Sequence, residues 1–212
     1  MKQFQMIIPP GWFMIDLTTG VDEQVDEFVG LRLASAPRDR ARSVRPMLTK
    51  SLKEVAHTFA DGGAVALTLA TDPADGSVDS PTTVFVPLAV PAGQQPIDML
   101  LAVASSDPSA TSVDVGDLVG VRISESVDAT IAVRGGLRHA AAIVEAPVDA
   151  EASALTAQRH HVRYLMGDPG DPERWVDAAF SVTSTSLPGS AEVAEALIEL
   201  FDETIQSFRW VS

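Results

Sequence analysis

The stretch that decides the fold lies near the end of the chain, where residues 190–208 read SAEVAEALIELFDETIQSF. Six of its apolar residues recur at steps of three and four and so share one face of a helix: Val193, Leu197, Leu200, Phe201, Ile205 and Phe208. Acidic residues occupy the remaining surface. An isolated helix of this length is only marginally stable in water, so its apolar face must be buried against the rest of the chain.

The strands that precede this helix supply a matching apolar face. Residues 155–166 and 174–185 predict a hairpin, because a loop rich in glycine, proline and aspartate separates them. Side chains alternate between the two sides of a strand, so the second strand has one apolar and one polar face. The apolar face carries Val176, Ala178, Phe180 and Val182, and the polar face carries Asp177, Ser181 and Thr183.

Hairpins dominate the rest of the pattern. Helical spacing predicts helices from residue 21, over 43–60 and over 96–105. Val- and Thr-rich runs predict strands, and the Gly135-Gly136 pair predicts a tight hairpin turn between strands 129–133 and 139–145. The sequence therefore predicts one α+β domain over residues 1–212, an antiparallel sheet with helices packed on it in an α/β/α sandwich-like arrangement.

Composition limits the function. The 212-residue chain carries a formal net charge of −14 and contains no cysteine. Such a charge repels phosphate backbones and anionic lipid, so neither nucleic acid nor a membrane is expected as a partner. The first residues contain no apolar leader and no run is long enough to span a membrane, so a cytoplasmic location is expected.

A basic cluster interrupts this acidic chain. Six cations fall within sixteen residues of the second helix: Arg38, Arg40, Arg42, Arg45, Lys50 and Lys53. We expect a non-enzymatic accessory or protein-binding function, with this face docking an acidic partner or the acidic helices of the protein itself. The alternative is a solvated helix face whose charges pair with acids of the same chain.

Aromatic residues suggest a second function, the binding of a small molecule. Trp12, Tyr164 and Trp175 are predicted to line a pocket between sheet and helix. The alternative is that these rings pack in the core, because each lies in or beside an apolar element.

Evidence for an enzyme is weak. The sequence has no nucleophile elbow, phosphate loop or dinucleotide fingerprint. A catalytic site would have to combine scattered residues such as His139, His161 and Glu145. Acidic loop residues could bind calcium, but their spacing does not match an EF-hand, so we expect neither metal nor cofactor. These loop residues are Asp72, Asp75 and Asp79, and Asp168, Asp171 and Glu173.

The two ends of the chain carry a family resemblance. The opening Pro9-Pro10-Gly11-Trp12 and the closing Ser207-Phe208-Arg209-Trp210 resemble an uncharacterised family of actinobacterial proteins. More distantly, they are similar to the Mog1/PsbP-like group. That resemblance implies an antiparallel sheet between helices, and accessory or binding roles without catalysis.

Overall fold

The chain folds into an antiparallel sheet flanked by helices, which confirms the predicted α+β class. This is a computed structural model, and it describes residues 4–71, 81–88, 90, 93–143 and 154–211. The helices in these ranges are α1 (Val21–Arg32), α2 (Arg38–Asp61), α3 (Pro96–Ser106), α4 (Thr130–Ile143) and α5 (Ser190–Gln206). The strands are β1 (Phe4–Gln5), β2 (Trp12–Asp16), β3 (Ala66–Ala70), β4 (Thr82–Pro87), β5 (Ala110–Val115), β6 (Leu118–Asp128), β7 (Ala157–Gly167), β8 (Trp175–Thr185) and β9 (Arg209–Trp210).

Seven of the described strands form one sheet in the order β2-β3-β4-β8-β7-β6-β5, and every neighbouring pair is antiparallel. The predicted hairpin of β7 and β8 is at its centre. A separate two-stranded ribbon pairs β1 with β9, placing Phe4 opposite Trp210. The two ends of the chain therefore meet beside the sheet.

Helix α5 covers one face of the sheet, as predicted, and packs mainly on β8. Its buried residues differ in part from the predicted stripe: Ala194 is buried with Phe201 and Ile205, whereas Val193, Leu197 and Leu200 are only half-buried. Phe201 stacks on Phe180 of β8 with ring centroids 4.8 Å apart. Phe4 and Phe208 stack at 4.9 Å and extend this core to the terminal ribbon.

One acid of α5 turns inward. Asp202 accepts hydrogen bonds from the Tyr164 hydroxyl at 2.8 Å and from Arg122 Nε and Nη2 at 3.0 and 2.9 Å. Burial, followed by the hydrogen bond to Asp202, raises the pKa of the Tyr164 phenol. The bonds fix α5 to β6 and β7.

The opposite face is covered on its two sides, by α1 and α2 on one side and by α3 on the other. Helices α1 and α2 bury the β2–β3 side, where Ile15 and Leu67 are fully buried with Val25 of α1. Helix α3 covers the other side, where Leu100 packs with Trp175 and residues of β6. The centre of the sheet lies between these two groups.

The prediction for residues 129–145 is wrong, because residues 130–143 form helix α4. Gly135 and Gly136 suggested a hairpin, but both lie inside the helix with open space around them. Val133 supplies a buried anchor that packs with Leu155 and Ala157. Local glycine chemistry therefore did not decide the structure, and a tertiary contact did.

Candidate functional site

A groove lies on the α2 side of the sheet, over the central strands. Its volume is about 780 Å³, it is open to solvent, and its wall is formed by Leu52, Val55 and Phe59 of α2. Ligand sites in proteins fall in this size range of several hundred cubic ångströms. The floor consists of side chains from four neighbouring strands: Leu67, Leu69, Thr82, Val84, Val86, Ala179, Ser181, Thr183, Arg159 and His161.

The alternation along β8 shows why this groove exists. Ala178 and Phe180 point toward α5 and are buried, whereas Ala179 and Ser181 point the other way and are only half-buried. A central strand of a sheet with helices on both sides is normally buried on both faces. Here α1 and α2 cover the sheet only as far as β4, and α3 packs toward the β5–β6 edge. The centre of this face therefore stays open.

The β7 side of the floor is basic. Arg159 pairs in register with Thr183 and His161 with Ser181, so both β7 side chains lie on the groove face. The Nε of Arg159 is 3.4 Å from Thr183 Oγ1, to which it donates a hydrogen bond. Across residues 4–71, 81–88, 90, 93–143 and 154–211, the His161 ring makes no hydrogen bond. The groove is thus apolar along α2 and polar along β7.

Arg163 lies next along the same face of β7 and is paired with an acid. Arg163 donates hydrogen bonds to the carboxylate of Asp177, from Nε at 3.3 Å and from Nη2 at 2.5 Å. The pKa of its guanidinium is raised by this hydrogen bond and also by the charges of Asp177 and Glu125. Arg163 therefore forms an ion pair with Asp177 beside the groove.

The basic cluster predicted as a docking surface divides into two parts. Lys53 pairs with Asp26 at 3.1 Å and Asp22 at 3.5 Å of α1, and Lys50 lies 3.8 Å from Glu54. In the parts of the chain that the structure describes, the remaining four have no carboxylate within 4.0 Å, and all four are exposed. These are Arg38, Arg40, Arg42 and Arg45.

The structure does not bring the three predicted pocket aromatics together. Trp12 and Tyr164 belong to the α5 side of the sheet, whereas Trp175 is fully buried on the opposite side with Leu100. Trp12 borders a niche between β2, β4 and α5 that has room for about 10 Å³, the lower limit for one water molecule. The prediction of a pocket lined by all three rings is therefore wrong. Side chains alternate between the two faces along each strand, and the positions of Trp12 and Tyr164 point to one face whereas that of Trp175 points to the other.

The histidines do not form one cluster. His160 and His161 point to opposite faces of β7, and His160 is held between Ser126 and Ser184 at 2.9 and 2.8 Å. His139 lies on α4, and Glu145 lies outside the described residues. Within the described ranges, no group of three or more histidine and acidic side chains is arranged to hold a metal ion.

The acidic loop after β7 has a structural role. Asp168 accepts a hydrogen bond from the Gly170 backbone N–H at 2.8 Å, and Asp171 accepts one from Glu173 at 3.0 Å. Both carboxylates also lie within 3.7 Å of the Arg174 guanidinium. These bonds are typical of tight turns. Asp72, Asp75 and Asp79 lie outside the described residues.

The groove was not predicted as a site, although its signals are in the sequence. Asp177, Ser181 and Thr183 were correctly assigned to one face of β8. The register with β7, which adds Arg159 and His161 to that face, and the gap between α2 and α3 are long-range features. Neither follows from the periodicity of one element.

No family model matches the chain, and neither the curated proteins nor the solved structures gave a match. None of the helices in the described residues has the length and apolar content needed to cross a membrane.

Proposed function

We propose that this protein binds a small, mostly apolar molecule in the groove between α2 and strands β4, β8 and β7. The observation that carries the proposal is the uncovered centre of the sheet, where an apolar wall and a floor that is polar only toward β7 and β8 border about 780 Å³. Exposed apolar surface in a concave site favours ligand binding, since a ligand removes that surface from water.

The half-exposed side chains of the α2 wall support this proposal. Val55 retains 46% of its surface exposed on the side of the helix that borders the groove. Ala179 leaves the floor open at the middle of the sheet because its side chain is small. A ligand seated there would cover Val55 and contact Ala179, completing the packing that α1, α2 and α3 leave unfinished.

The experiment fills part of the groove by placing a larger side chain on its floor. N-phenyl-1-naphthylamine, an uncharged apolar fluorophore, is titrated into the protein and into A179F, with A191F at the exposed start of α5 as the matched control. We expect the affinity of A179F for the probe to fall at least about tenfold, because the new ring occupies the site. Equal affinity of the three proteins, or no binding to the wild type, would contradict the proposal.

A second function, docking of an acidic helical surface, is favoured by the exposed arginines of α2. Arg38, Arg42 and Arg45 follow one another at steps of four and three and so lie on one helix face. The outer surface of α5 offers a complementary acidic stripe of exposed residues: Glu192, Glu195, Glu199 and Glu203. Since α2 and α5 lie on opposite sides of the sheet, such contacts would join copies head to tail.

Sedimentation velocity at low and high salt tests this second function. We expect association of the wild type at low salt, loss of it in R38E/R42E/R45E, and recovery when that variant is mixed with E192K/E195K/E199K/E203K. A monomeric wild type at every salt concentration would remove self-association.

A further inference from the structure

We propose that strand β5, at one edge of the sheet, pairs antiparallel with β5 of a second copy, so that two sheets become one across a two-fold axis beside Ser112. This surface is separate from the groove and from the charged faces of α2 and α5. The two edge strands of the sheet, β2 and β5, differ in the backbone groups that they leave without partners.

The β2 edge is closed by contacts within the chain. The Asp16 N–H donates a hydrogen bond to Gln24 Oε1 at 2.8 Å, and Gln24 Nε2 donates one to the Asp16 carbonyl at 3.0 Å. At the other end of the strand, the Trp12 N–H donates to the Pro9 carbonyl at 3.1 Å. Both ends of this edge are therefore occupied, which protects it from pairing with another strand.

The β5 edge is open along its middle. The Ala110 N–H donates to the Asp107 carbonyl of the preceding turn at 3.1 Å. The Asp114 carbonyl accepts a hydrogen bond from Gln206 Nε2 at 3.4 Å. Both residues thus direct their backbone groups away from β6, and Ser112 between them shares this direction. In the described part of the chain, four groups on this side have no hydrogen-bond partner: the N–H groups of Ser112 and Asp114 and the carbonyl groups of Ala110 and Ser112.

A second β5 strand satisfies all four groups in a single register. With Ser112 opposite Ser112 of the second copy, the two residues exchange N–H···O bonds, and each Asp114 N–H meets the Ala110 carbonyl of the other copy. A shift by two residues in either direction brings a free group of Ser112 against a group already bonded within its own chain. The free groups of β5 are therefore complementary to themselves, as an interface between identical copies requires.

The side chains of β5 suit the same register. Val113 lies opposite Thr111 of the second copy, and pairs of β-branched residues stabilise neighbouring strands. Asp114 is the one charged residue of this strand. The two Asp114 side chains are offset by four residues along the pair, about 13 Å, a distance that exceeds the Debye length at physiological salt. Charge within the strand pair therefore does not oppose it.

Apolar surface beside this edge favours the pairing further. Helix α3 contacts β5 and β6, and its Ile97 and Leu101 are 40% and 57% exposed. A two-fold axis perpendicular to the sheet places both α3 helices on the same face, one on each side of the paired strands. Covering Ile97 and Leu101 there adds apolar burial to the backbone hydrogen bonds.

Sedimentation equilibrium of the wild type, S112P and M14P tests the pairing. We expect the wild type to form dimers. S112P removes the N–H that forms both bonds between the two Ser112 residues, so its dissociation constant should rise at least about tenfold. Met14 lies between Trp12 and Asp16 on the outer side of β2, so M14P is a matched control at the other edge and should dimerise like the wild type. Circular dichroism reports whether each variant is folded.

A charge pair at the axis tests the register without changing the backbone. Because Ser112 lies opposite itself, S112K and S112E place like charges against each other and should each dimerise several-fold more weakly than the wild type. An equal mixture of the two should recover dimers, since the opposite charges then face each other. S51K and S51E, at an exposed position of α2, are the matched controls and should dimerise like the wild type.

Salt distinguishes strand pairing from contacts between the charged faces of α2 and α5. Pairing of two chains that each carry −14 should strengthen at high salt, whereas contacts between arginines and glutamates should weaken. Three results would overturn the proposal: a wild type that is monomeric at high salt, a folded S112P that dimerises like the wild type, or a mixture of S112K and S112E that does not recover dimers.

Discussion

The two faces of one sheet differ in how completely helices cover them. On the α5 face the helix packs closely over the central strands, and the niche beside Trp12 has room for only about 10 Å³. On the α2 face the same strands border a groove of about 780 Å³. Strands β4 and β8 contribute to both faces, so their alternating side chains experience two environments. The comparison shows that helices cover the centre of the sheet on the α5 face, whereas on the α2 face the buried cores lie to either side of an open centre.

Polar groups have opposite roles on these two faces. On the α5 face Asp202 satisfies Tyr164 and Arg122 and thereby fastens the helix to the sheet. On the α2 face Arg159 donates a hydrogen bond to Thr183 of the neighbouring strand, and it borders the groove together with His161. Polar side chains therefore fasten a helix to the sheet on one face and border a groove on the other.

Removing the same kind of ring from each face gives the largest contrast. F201A deletes a buried ring stacked on Phe180, so we expect the free energy of unfolding to fall by about 3–5 kcal/mol. F59A removes a half-buried ring from the groove wall and should cost only about 1 kcal/mol. Urea denaturation measures both values. Similar losses would show that the two faces contribute equally to the core.

Adding one methyl group tests the close packing beneath α3. A Cβ at Gly167 would overlap the Trp175 ring and lie 2.5 Å from the Arg174 carbonyl oxygen. We expect G167A to lower the free energy of unfolding by about 2–3 kcal/mol. The matched control, G136A, meets nothing within 4 Å inside α4 and should stabilise the protein by about 0.5–1 kcal/mol. Destabilisation by G136A would instead favour the hairpin originally predicted there.

The smallest expected effect is a pH dependence of the contact between α1 and α2, the helix that forms the groove wall. His57 donates a hydrogen bond to Asp22 and, with Lys53 nearby, lowers the pKa of that carboxyl below 3.8. A lowered carboxyl pKa stabilises the fold above pH 3.8, and this contribution is lost as pH falls through the folded-state pKa. Urea midpoints measured from pH 6 to pH 3 should therefore show D22N approaching the wild type at the acidic end.

The control for this pH dependence is E27Q on the same helix. Glu27 is exposed and has no ion-pair partner in the described residues. We expect its midpoints to follow those of the wild type at every pH. A constant difference between D22N and the wild type would show that the Asp22 charge does not stabilise the helix pair.

Periodicity predicted most of the helices and strands and the closing role of α5, because each depends on residues close in the sequence. It failed for α4, where Gly135 and Gly136 favour a turn locally but Val133 packs against Leu155 and Ala157. The helix is stabilised by a contact with residues about twenty positions later, which no local pattern contains.

The candidate site was harder to predict than the fold. The polar face of β8 was recognised, but a groove is defined by the space between elements. That space depends on where α1 and α2 end their cover of the sheet and on the pairing of β7 with β8. Trp12 and Trp175 show the same limit, since both are apolar strand residues that lie on different faces.

Mapping a bound ligand by NMR tests the central claim that the binding surface is the uncovered face of the sheet. N-phenyl-1-naphthylamine is titrated into the isotopically labelled protein while backbone amide shifts are followed. We predict that the largest changes cluster at the groove, at His161, Ala179 and Ser181. Changes that cluster instead around the α5 niche, at Thr204 and Met6, or that spread evenly over the surface, would contradict this account.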